Sequence, residues 1–527
     1  MTTKDKENYK VFIPSAGLGT RLGNLSKNLN KALVSIDNRP VISHVIEKFP
    51  KSVEIVIALG HKGDLVRNYL EIAHQDRLLT FVEIDNYDGS GSGLGYSILC
   101  CEKELQCPFV FCPNDTMVLE EIPKPDFDWM GYSKIIDNRY RTLKVKEGKV
   151  VRTYEKRTIN DGYVYIGLCG INHYKKFWES MKNGIRYGAI EMGEVYGLNK
   201  IIENYRDVKS FQFTWYDTGD VDKLKQTREK FYKEDSPEIL EKDNEAIWFT
   251  NGKVIKYFGD SEISNKRVLR ANMLKGYVPT ILEHNSNLYS YKMIKGKTLS
   301  KVVNKKLFND FMDFSDKFWI PHYLENEEIN IFYDKCKSFY EGKTISRVNM
   351  FFNRFGIEDQ EETINQIKIP ALSELFSKVD WDYISKGIPC RFHGDYHFEN
   401  VLVSEDGQFV LVDWRQDFSG ILDYGDIYYD FAKLMHGLIV SHELVNKEMF
   451  DFSKDGDIIY FDILRKNKLV ECERDLRKKI NIMGYDLKKV YILTSLIFIN
   501  IAPLHHDPYG KFLFYLGKYM LHGELND

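Results

Sequence analysis

Three oxygen-bearing side chains within one short stretch pose the chemical question. The segment Arg391–Trp414, RFHGDYHFENVLVSEDGQFVLVDW, carries Asp395, Asn400 and Asp413. It reads as a loop, a strand at Val401–Val403, a turn at Glu405–Gly407 and a second strand ending at Asp413. A hairpin of that length returns Asp413 to the side of Asn400. Phosphoryl transfer from ATP asks for a carboxylate near the attacking hydroxyl and for oxygen ligands that hold Mg²⁺ on the phosphates. Asp395 suits the first task, Asn400 and Asp413 the second. The competing reading is an acidic hairpin in an ordinary core.

A second set lies near the other end. An apolar strand, Lys10–Pro14, runs into SAGLGTRL at Ser15–Leu22. Such a turn lets the backbone at Ala16, Gly17, Gly19 and Thr20 approach phosphates, and Arg21 adds a fixed cationic fork. Lys31 follows in a second short segment. Asp115 follows the strand Phe109–Cys112, where open α/β sheets place ligand groups. Together with Asp217 in Trp215–Gly219, it offers two carboxylates to one Mg²⁺. A dinucleotide-binding Rossmann motif competes poorly, because no further glycine pair follows Gly19 and no acidic residue closes a second strand.

The arrangement H-G-D, four residues, N, then a strand ending in Asp resembles the catalytic loop of the aminoglycoside phosphotransferase and choline kinase group. That resemblance implies that Lys256, in the Asn-Gly hairpin Ala246–Phe258, holds ATP phosphates. It also implies that Tyr291 and Met293 carry the adenine and that Asp426 and Asp430 brace the loop. The helix expected to supply a glutamate to Lys256, around Arg267–Leu274, contains none; Glu262 is the nearest.

The N-terminal set, G-L-G-T-R-L, then K-A-L, E-K and a W-x-D-T-G-like close, resembles the sugar-phosphate nucleotidylyltransferases. By that resemblance Thr20, Arg21 and Lys31 contact a triphosphate, and the loop around Gly93 packs on the base and sugar. Lys156 then meets the acceptor phosphate, Glu155 binds acceptor hydroxyls, and Asp115 and Asp217 hold the metal. Asn30 and Arg157 stand where the family has proline, and no base-reading glutamine occurs in Asp88–Ser97, so the base is open.

These residues need two scaffolds. With 527 residues the chain exceeds one core. In the first half, strands (53–59, 79–84, 109–112) alternate with helical stretches (41–49, 62–74, 221–232). This predicts an α/β, Rossmann-like domain, residues 1–235, with a mixed, mainly parallel sheet. The charged stretch 233–245 is the seam. Residues 236–527 are expected to form a bilobal, protein-kinase-like α+β domain. Its N-lobe spans about 246–298 and its C-lobe 299–527, with inserted helices at 300–385 and helices from Ala432 to the end. Trp319 and Trp381 are read as core more readily than as an aromatic cage.

Net charge is −4 and the isoelectric point about 6.4, which gives no electrostatic case for nucleic acid or a membrane surface. No run of some 18 apolar residues and no signal peptide stand out, so a cytoplasmic location is expected. The eight cysteines lack zinc-ligand spacing and read as free thiols. The expectation is a bifunctional enzyme: ATP phosphorylates a small hydroxylated metabolite. A second NTP, CTP or UTP favoured, then nucleotidylates the phosphomonoester, giving an activated sugar or polyol for surface polysaccharide. Mg²⁺ is expected at both sites, and a homo-oligomer stays open. The alternatives are a choline- or ethanolamine-type kinase fused to a cytidylyltransferase, and a nucleotidyltransferase with a regulatory pseudokinase.

Overall fold

Strand Lys10–Ser15 alternates its side chains across a sheet covered on both faces: Val11 and Ile13 join one apolar core, Phe12 the other. The computed structural model describes residues 7–23, 25–233 and 244–526, so the seam expected at 233–245 lies mostly outside the described residues. Nine strands form this sheet, in the order Leu78–Glu83, Glu54–Leu59, Lys10–Ser15, Phe109–Phe111, Tyr163–Ile171, Trp129–Ser133, Lys209–Gln212, Lys149–Tyr154, Thr142–Lys146. The first four pair in parallel. Beyond Phe109–Phe111 the pairings are antiparallel, except Lys209–Gln212 on Trp129–Ser133. The sheet is therefore mixed, and its parallel part lies where the phosphate-binding loop begins.

Chain packing divides into two compact units: residues up to 261 with 282–293, and residues 262–281 with 294–527. This division does not follow the motif division. The antiparallel strands Glu245–Thr250, Lys253–Phe258 and Leu288–Lys292 count with the first unit, and Trp248, Ile255, Tyr257 and Leu288 belong to its core. The reason lies in helix Gly63–Ala73, which buries Val66, Tyr69, Leu70 and Ala73 at helical spacing. Tyr69 stacks edge-on to Trp248 at 5.0 Å and its hydroxyl meets Thr250 Oγ1 at 2.9 Å. The carbonyls at the helix end, Ile72 and Ala73, accept from Lys253 Nζ and Asn251 Nδ2, which caps groups the helix leaves open.

In the second unit, strands Val401–Ser404 and Phe409–Leu411 form the expected hairpin, with Gly296–Thr298 as a third strand. Helices Ile427–Ile439, Leu487–Ile501 and Tyr509–Asn526 pack in sequence, the first on the second and the second on the third. The window Leu487–Leu504 is apolar and long enough to cross a membrane, contrary to the sequence reading, but 67% of it is buried within the protein. The helical reading from Ala432 onward also fails in part. Phe450–Asp455 and Ile458–Ile463 form a hairpin that joins Glu362–Ile364 and Ile367–Ile369 in a four-stranded sheet. Ile459 and Phe461 are buried two residues apart, a strand period that apolar composition alone conceals. All eight cysteines are free and six are buried.

Candidate active sites

In the first unit, the short antiparallel pairing of Trp215–Asp217 with Thr116–Val118 brings the two predicted carboxylates together. Thr218 reinforces it, donating its backbone N–H and its hydroxyl to the Asp115 carbonyl at 3.1 and 3.2 Å. Their common neighbour is Gly219. A Cβ there would lie 3.0 Å from Asp217 Oδ1, 3.1 Å from Arg21 Nη2 and 3.2 Å from Asp115 Oδ2. Arg21 sits in the 3₁₀ turn Thr20–Leu22 after Gly19. Gly19 needs to be glycine: its φ is +69° and a Cβ would press on Lys31 Cβ at 3.1 Å. Lys31 Nζ reaches Asp115 Oδ2 at 3.1 Å.

The two carboxyls differ in acidity. Burial pushes Asp115 up, but Lys31 and Arg21 outweigh it and hold the group below the ordinary range. Asp217 is raised, by burial first and then by the charge of Asp115. It accepts from the Tyr140 hydroxyl and from Gly219 N–H at 2.8 Å. Two carboxylates whose repulsion is only partly cancelled fit a divalent cation. Mg²⁺ takes one or two carboxylates and fills its shell with substrate phosphate and water. Among the described residues no group of three or more His, Cys, Asp or Glu is disposed to hold a metal. When bound, the metal would offset charge on the phosphates.

Arg21, Asp115 and Asp217 line a cavity of about 210 Å³ together with Lys156, Arg139 and Arg141. Lys156 has its pKa lowered by burial and by the cations Arg141 and Arg21, a sign of excess positive charge. Glu155 is exposed and takes Arg141 Nε at 3.2 Å instead of lining the cavity. Gly17 has open space on its side-chain face, whereas Ala16 is buried and its carbonyl accepts His61 N–H at 2.9 Å. A Cβ on Gly93 would lie 2.7 Å from the Ile190 carbonyl, so this glycine serves close packing. Asn30, in place of proline, accepts from Ala32 N–H and donates to the Ser15 and His61 carbonyls, tying the Lys31 turn to the phosphate loop. Sequence reasoning missed Arg139, Tyr140 and Arg141, which form no motif.

In the second unit the catalytic loop has the expected shape. Val412 N–H donates to the Asn400 carbonyl at 2.9 Å, setting the strand that ends in Asp413 beside Asn400. Asn400 Nδ2 donates to Asp395 Oδ2 at 3.0 Å and to its carbonyl at 2.9 Å. Asp430 accepts His393 and Gly394 N–H, both at 2.8 Å, and Trp319 Nε1 at 3.1 Å. Burial still raises it to about 6. Asp426 caps helix Ile427–Ile439 through Tyr428 N–H and accepts the Tyr340 hydroxyl at 2.6 Å. His393 accepts Asp395 N–H on Nδ1, so its Nε2–H donates to the Val412 carbonyl. Burial lowers its pKa to about 3, and it anchors the loop as a neutral ring. Trp381 donates to the Phe376 carbonyl and packs on Phe376, so neither tryptophan forms a cage.

Asp395 is clamped. Lys433 Nζ, from helix Ile427–Ile439, lies 2.8 Å from Oδ1, and His397 Nε2 lies 3.5 Å from Oδ2. Burial would raise its pKa; Lys433 and His397 outweigh that and hold it well below the usual range. A carboxylate so weakly basic orients a hydroxyl better than it strips one.

Helix Ser261–Met273 has a different role from the expected glutamate partnership. Glu262 pairs with Lys266 one turn on, while Arg267 pairs with Asp413. Arg270, fully buried, donates to the carbonyls of Leu422, Arg415, Phe392 and His393. Two basic residues one turn or less apart, Arg267 and Arg270, thus bind the catalytic loop to this helix. Asn400 and Asp413 would offer oxygens to Mg²⁺ if Arg267 gave up its pairing with Asp413. Lys256 is buried in the first unit's small sheet between Ile247 and Tyr289, Tyr291 is buried on the next strand, and Met293 is exposed.

Residues 356–446, which include the whole catalytic loop, match the phosphotransferase enzyme family. A stretch of 176 residues is 24% identical to the bifunctional protein GlmU of Nitratiruptor sp., covering 31% of this chain and 38% of that protein. The GlmU of Methanococcus aeolicus is 25% identical over 113 residues, 21% of this chain and 26% of that protein. The chain therefore spans well under half the length of these relatives. Among solved structures, a glucose-1-phosphate thymidylyltransferase of Bacillus anthracis covers 45% of this chain and 98% of its own, with 18% identity and TM-score 0.37. The CTP:phosphocholine cytidylyltransferase of Streptococcus pneumoniae covers 43% and 100%, with 21% identity and TM-score 0.36. The chain thus carries a segment that matches the phosphotransferase enzyme family, beside a mixed α/β part.

Proposed function

We propose that the chain is a bifunctional transferase acting on small molecules in the cytoplasm, with its functional boundary near residues 235–236. The second part phosphorylates a hydroxyl with ATP. The first transfers a nucleotidyl group from an NTP, CTP or UTP favoured, to the phosphomonoester and releases pyrophosphate. The product is an activated nucleotide sugar or polyol of the kind surface polysaccharide synthesis consumes. The observation that carries this reading is the meeting of Asp115, Asp217, Arg21 and Lys31 around Gly219, in a chain that also holds Asp395 beside Asn400.

In the first site the attacking phosphomonoester oxygen is already ionised at neutral pH. The residues therefore need only align two anions and offset their repulsion, through Arg21, Lys31 and Lys156. In the second, Asp395 orients the acceptor hydroxyl. Both sites supply carboxylate or amide oxygens to Mg²⁺.

The test is a matrix of NTPs against phosphorylated sugars, polyols and amino alcohols scored for pyrophosphate, with a second matrix of ATP against the unphosphorylated acceptors. The reading predicts one metabolite served by both halves. A kinase product that the first half refuses in favour of another phosphate would overturn the consecutive order. The pairing of Arg267 with Asp413 favours a second reading, a regulatory pseudokinase. In that case ATP consumption is the same for wild type and Asp395→Asn.

A further inference from the structure

Asp395 is surrounded by more positive charge than its own neutralisation requires. Lys433 occupies one of its oxygens. One turn earlier on the same helix, Tyr429 stands edge-on to the Phe339 ring at 4.9 Å. Phe339 lies in the π-helical turn Ser338–Gly342, a wide turn of the sort found where a helix is reshaped for function. Two further cations share that ring: Lys343 Nζ lies 4.6 Å from its centroid and Arg415 Cζ 4.9 Å. Arg347 follows Lys343 by one turn on helix Lys343–Phe355.

Arg415 belongs to the catalytic loop itself. Its Cβ would lie 2.6 Å from a Cβ on Gly394, the residue before Asp395, and its N–H donates to the His393 carbonyl at 2.9 Å. Arg415 Nε donates to the Asp417 carbonyl, while the Asp417 carboxylate turns to Lys266 at 3.2 Å. Among the described residues, Lys343, Arg347 and Arg415 form no ion pair with a carboxylate. Lys433 is thus paired with Asp395, while Lys343 and Arg415 gather at the Phe339 ring with Arg347 one turn on.

Such a group is costly while empty, since like charges in half-buried surroundings repel with little screening. Lys343 reflects this: burial, then Arg415, Lys433 and Arg347, drive its pKa well below the ordinary value, and only Asp395 opposes them. Arg347 is lowered by burial and by Arg415. A bound anion would relieve the strain and recover charge-assisted hydrogen bonds.

We propose that Lys343, Arg347 and Arg415 seat an anionic acceptor: the metabolite phosphorylated at Asp395 carries a carboxylate or phosphate of its own and is neither a neutral polyol nor an amino alcohol. The proposal rests on the kinase reading above. The acceptor hydroxyl oxygen bonds to the γ-phosphorus of ATP as the bond from that phosphorus to the β,γ-bridging oxygen breaks. ADP leaves with the electron pair, and the hydroxyl proton is released to solvent while Asp395 orients the attacking oxygen.

The experiment measures ADP release by the full chain with ATP and Mg²⁺ in three arms. Anionic acceptors are D-glycerate and D-gluconate (carboxylates), and glycerol 3-phosphate and fructose 6-phosphate (phosphates). Neutral acceptors are glycerol and glucose; cationic ones are choline and ethanolamine. Turnover is expected in the anionic arm alone, and the better subset tells carboxylate from phosphate. Lys343→Gln and Arg347→Gln are expected to raise the acceptor KM about tenfold or more while kcat and the KM for ATP stay within about twofold; Arg347→Lys retains most of the wild-type KM. Preference for glycerol, glucose, choline or ethanolamine overturns the proposal, as does a rise in the KM for ATP instead.

Should no arm exceed Asp395→Asn, the kinase reading fails, and the anion seat is judged by calorimetric titration of D-glycerate and fructose 6-phosphate. Affinity about tenfold weaker in the Lys343→Gln/Arg347→Gln double variant than in wild type supports the seat. No difference, absent binding included, overturns it. Circular dichroism confirms that each variant is folded, and Arg347→Lys stands in for one that is not.

Discussion

The two sites handle negative charge in opposite ways. Around Gly219, Asp115 is held ionised by Lys31 and Arg21 while Asp217 is pushed up by burial and by its neighbour, so the pair retains an uncancelled demand for a cation. In the catalytic loop the demand is already met from within: Lys433 holds Asp395 and Arg267 holds Asp413. A metal at the first site would find Asp217 raised beside an Asp115 that is paired with Lys31, whereas one at Asp413 would displace Arg267. Residue types alone would have ranked the two alike, since each offers two acidic groups near basic ones.

The sharpest way to break the comparison is to disable each site separately. Asp217→Asn is expected to cut pyrophosphate release by about 10²- to 10³-fold and leave ADP release intact. Asp395→Asn should lower ADP release by about 10²- to 10⁴-fold and leave pyrophosphate release intact. Loss of both activities from either change would mean that the sites are not independent.

Arg270→Leu removes the guanidinium that ties four loop carbonyls to helix Ser261–Met273. A loss of the order of 3 kcal/mol is expected, seen as an earlier denaturant midpoint, because buried carbonyls lose their donors.

The first site's surroundings hold a buried acid with the opposite tendency to Asp395. Burial raises Glu194 to about 7 from an ordinary 4.5, and its Oε2 lacks a hydrogen-bond partner. The folded state then binds a proton more tightly than the unfolded chain. The sign follows: stability is full below about pH 4.5 and declines as pH rises to about 7, by no more than about 3 kcal/mol. Glu194→Gln should therefore raise Tm at pH 8 and change it little at pH 5.

The smallest effect concerns metal demand. Arg267→Ala should lower the Mg²⁺ concentration that half-saturates ADP release by about fivefold, the equivalent of roughly 1 kcal/mol of ion pairing. An unchanged or higher requirement would show that Arg267 does not compete with the metal.

Much of this was legible in the sequence wherever the functional atoms lie close along the chain. Asp395, Asn400 and Asp413 are fixed relative to one another by a hairpin whose register follows from strand and turn lengths. The glycine turn after Lys10–Ser15 announced itself likewise, because a left-handed backbone at Gly19 restricts residue type. Asn30 looked like a departure and proved to be a brace, doing with three hydrogen bonds what proline does by ring closure.

What only the tertiary structure decided is which partner each charge meets. The meeting of Asp115 with Asp217 depends on a two-stranded pairing between distant segments. The allotment of Arg267 to Asp413 and of Lys433 to Asp395, and the gathering of Lys343 and Arg415 at the Phe339 ring, depend on how helices pack. Helical periodicity tells which face is buried but not what that face touches. The attachment of strands Glu245–Phe258 to helix Gly63–Ala73 was equally hidden, since an aromatic pair such as Tyr69 and Trp248 leaves no mark on the sequence of either segment.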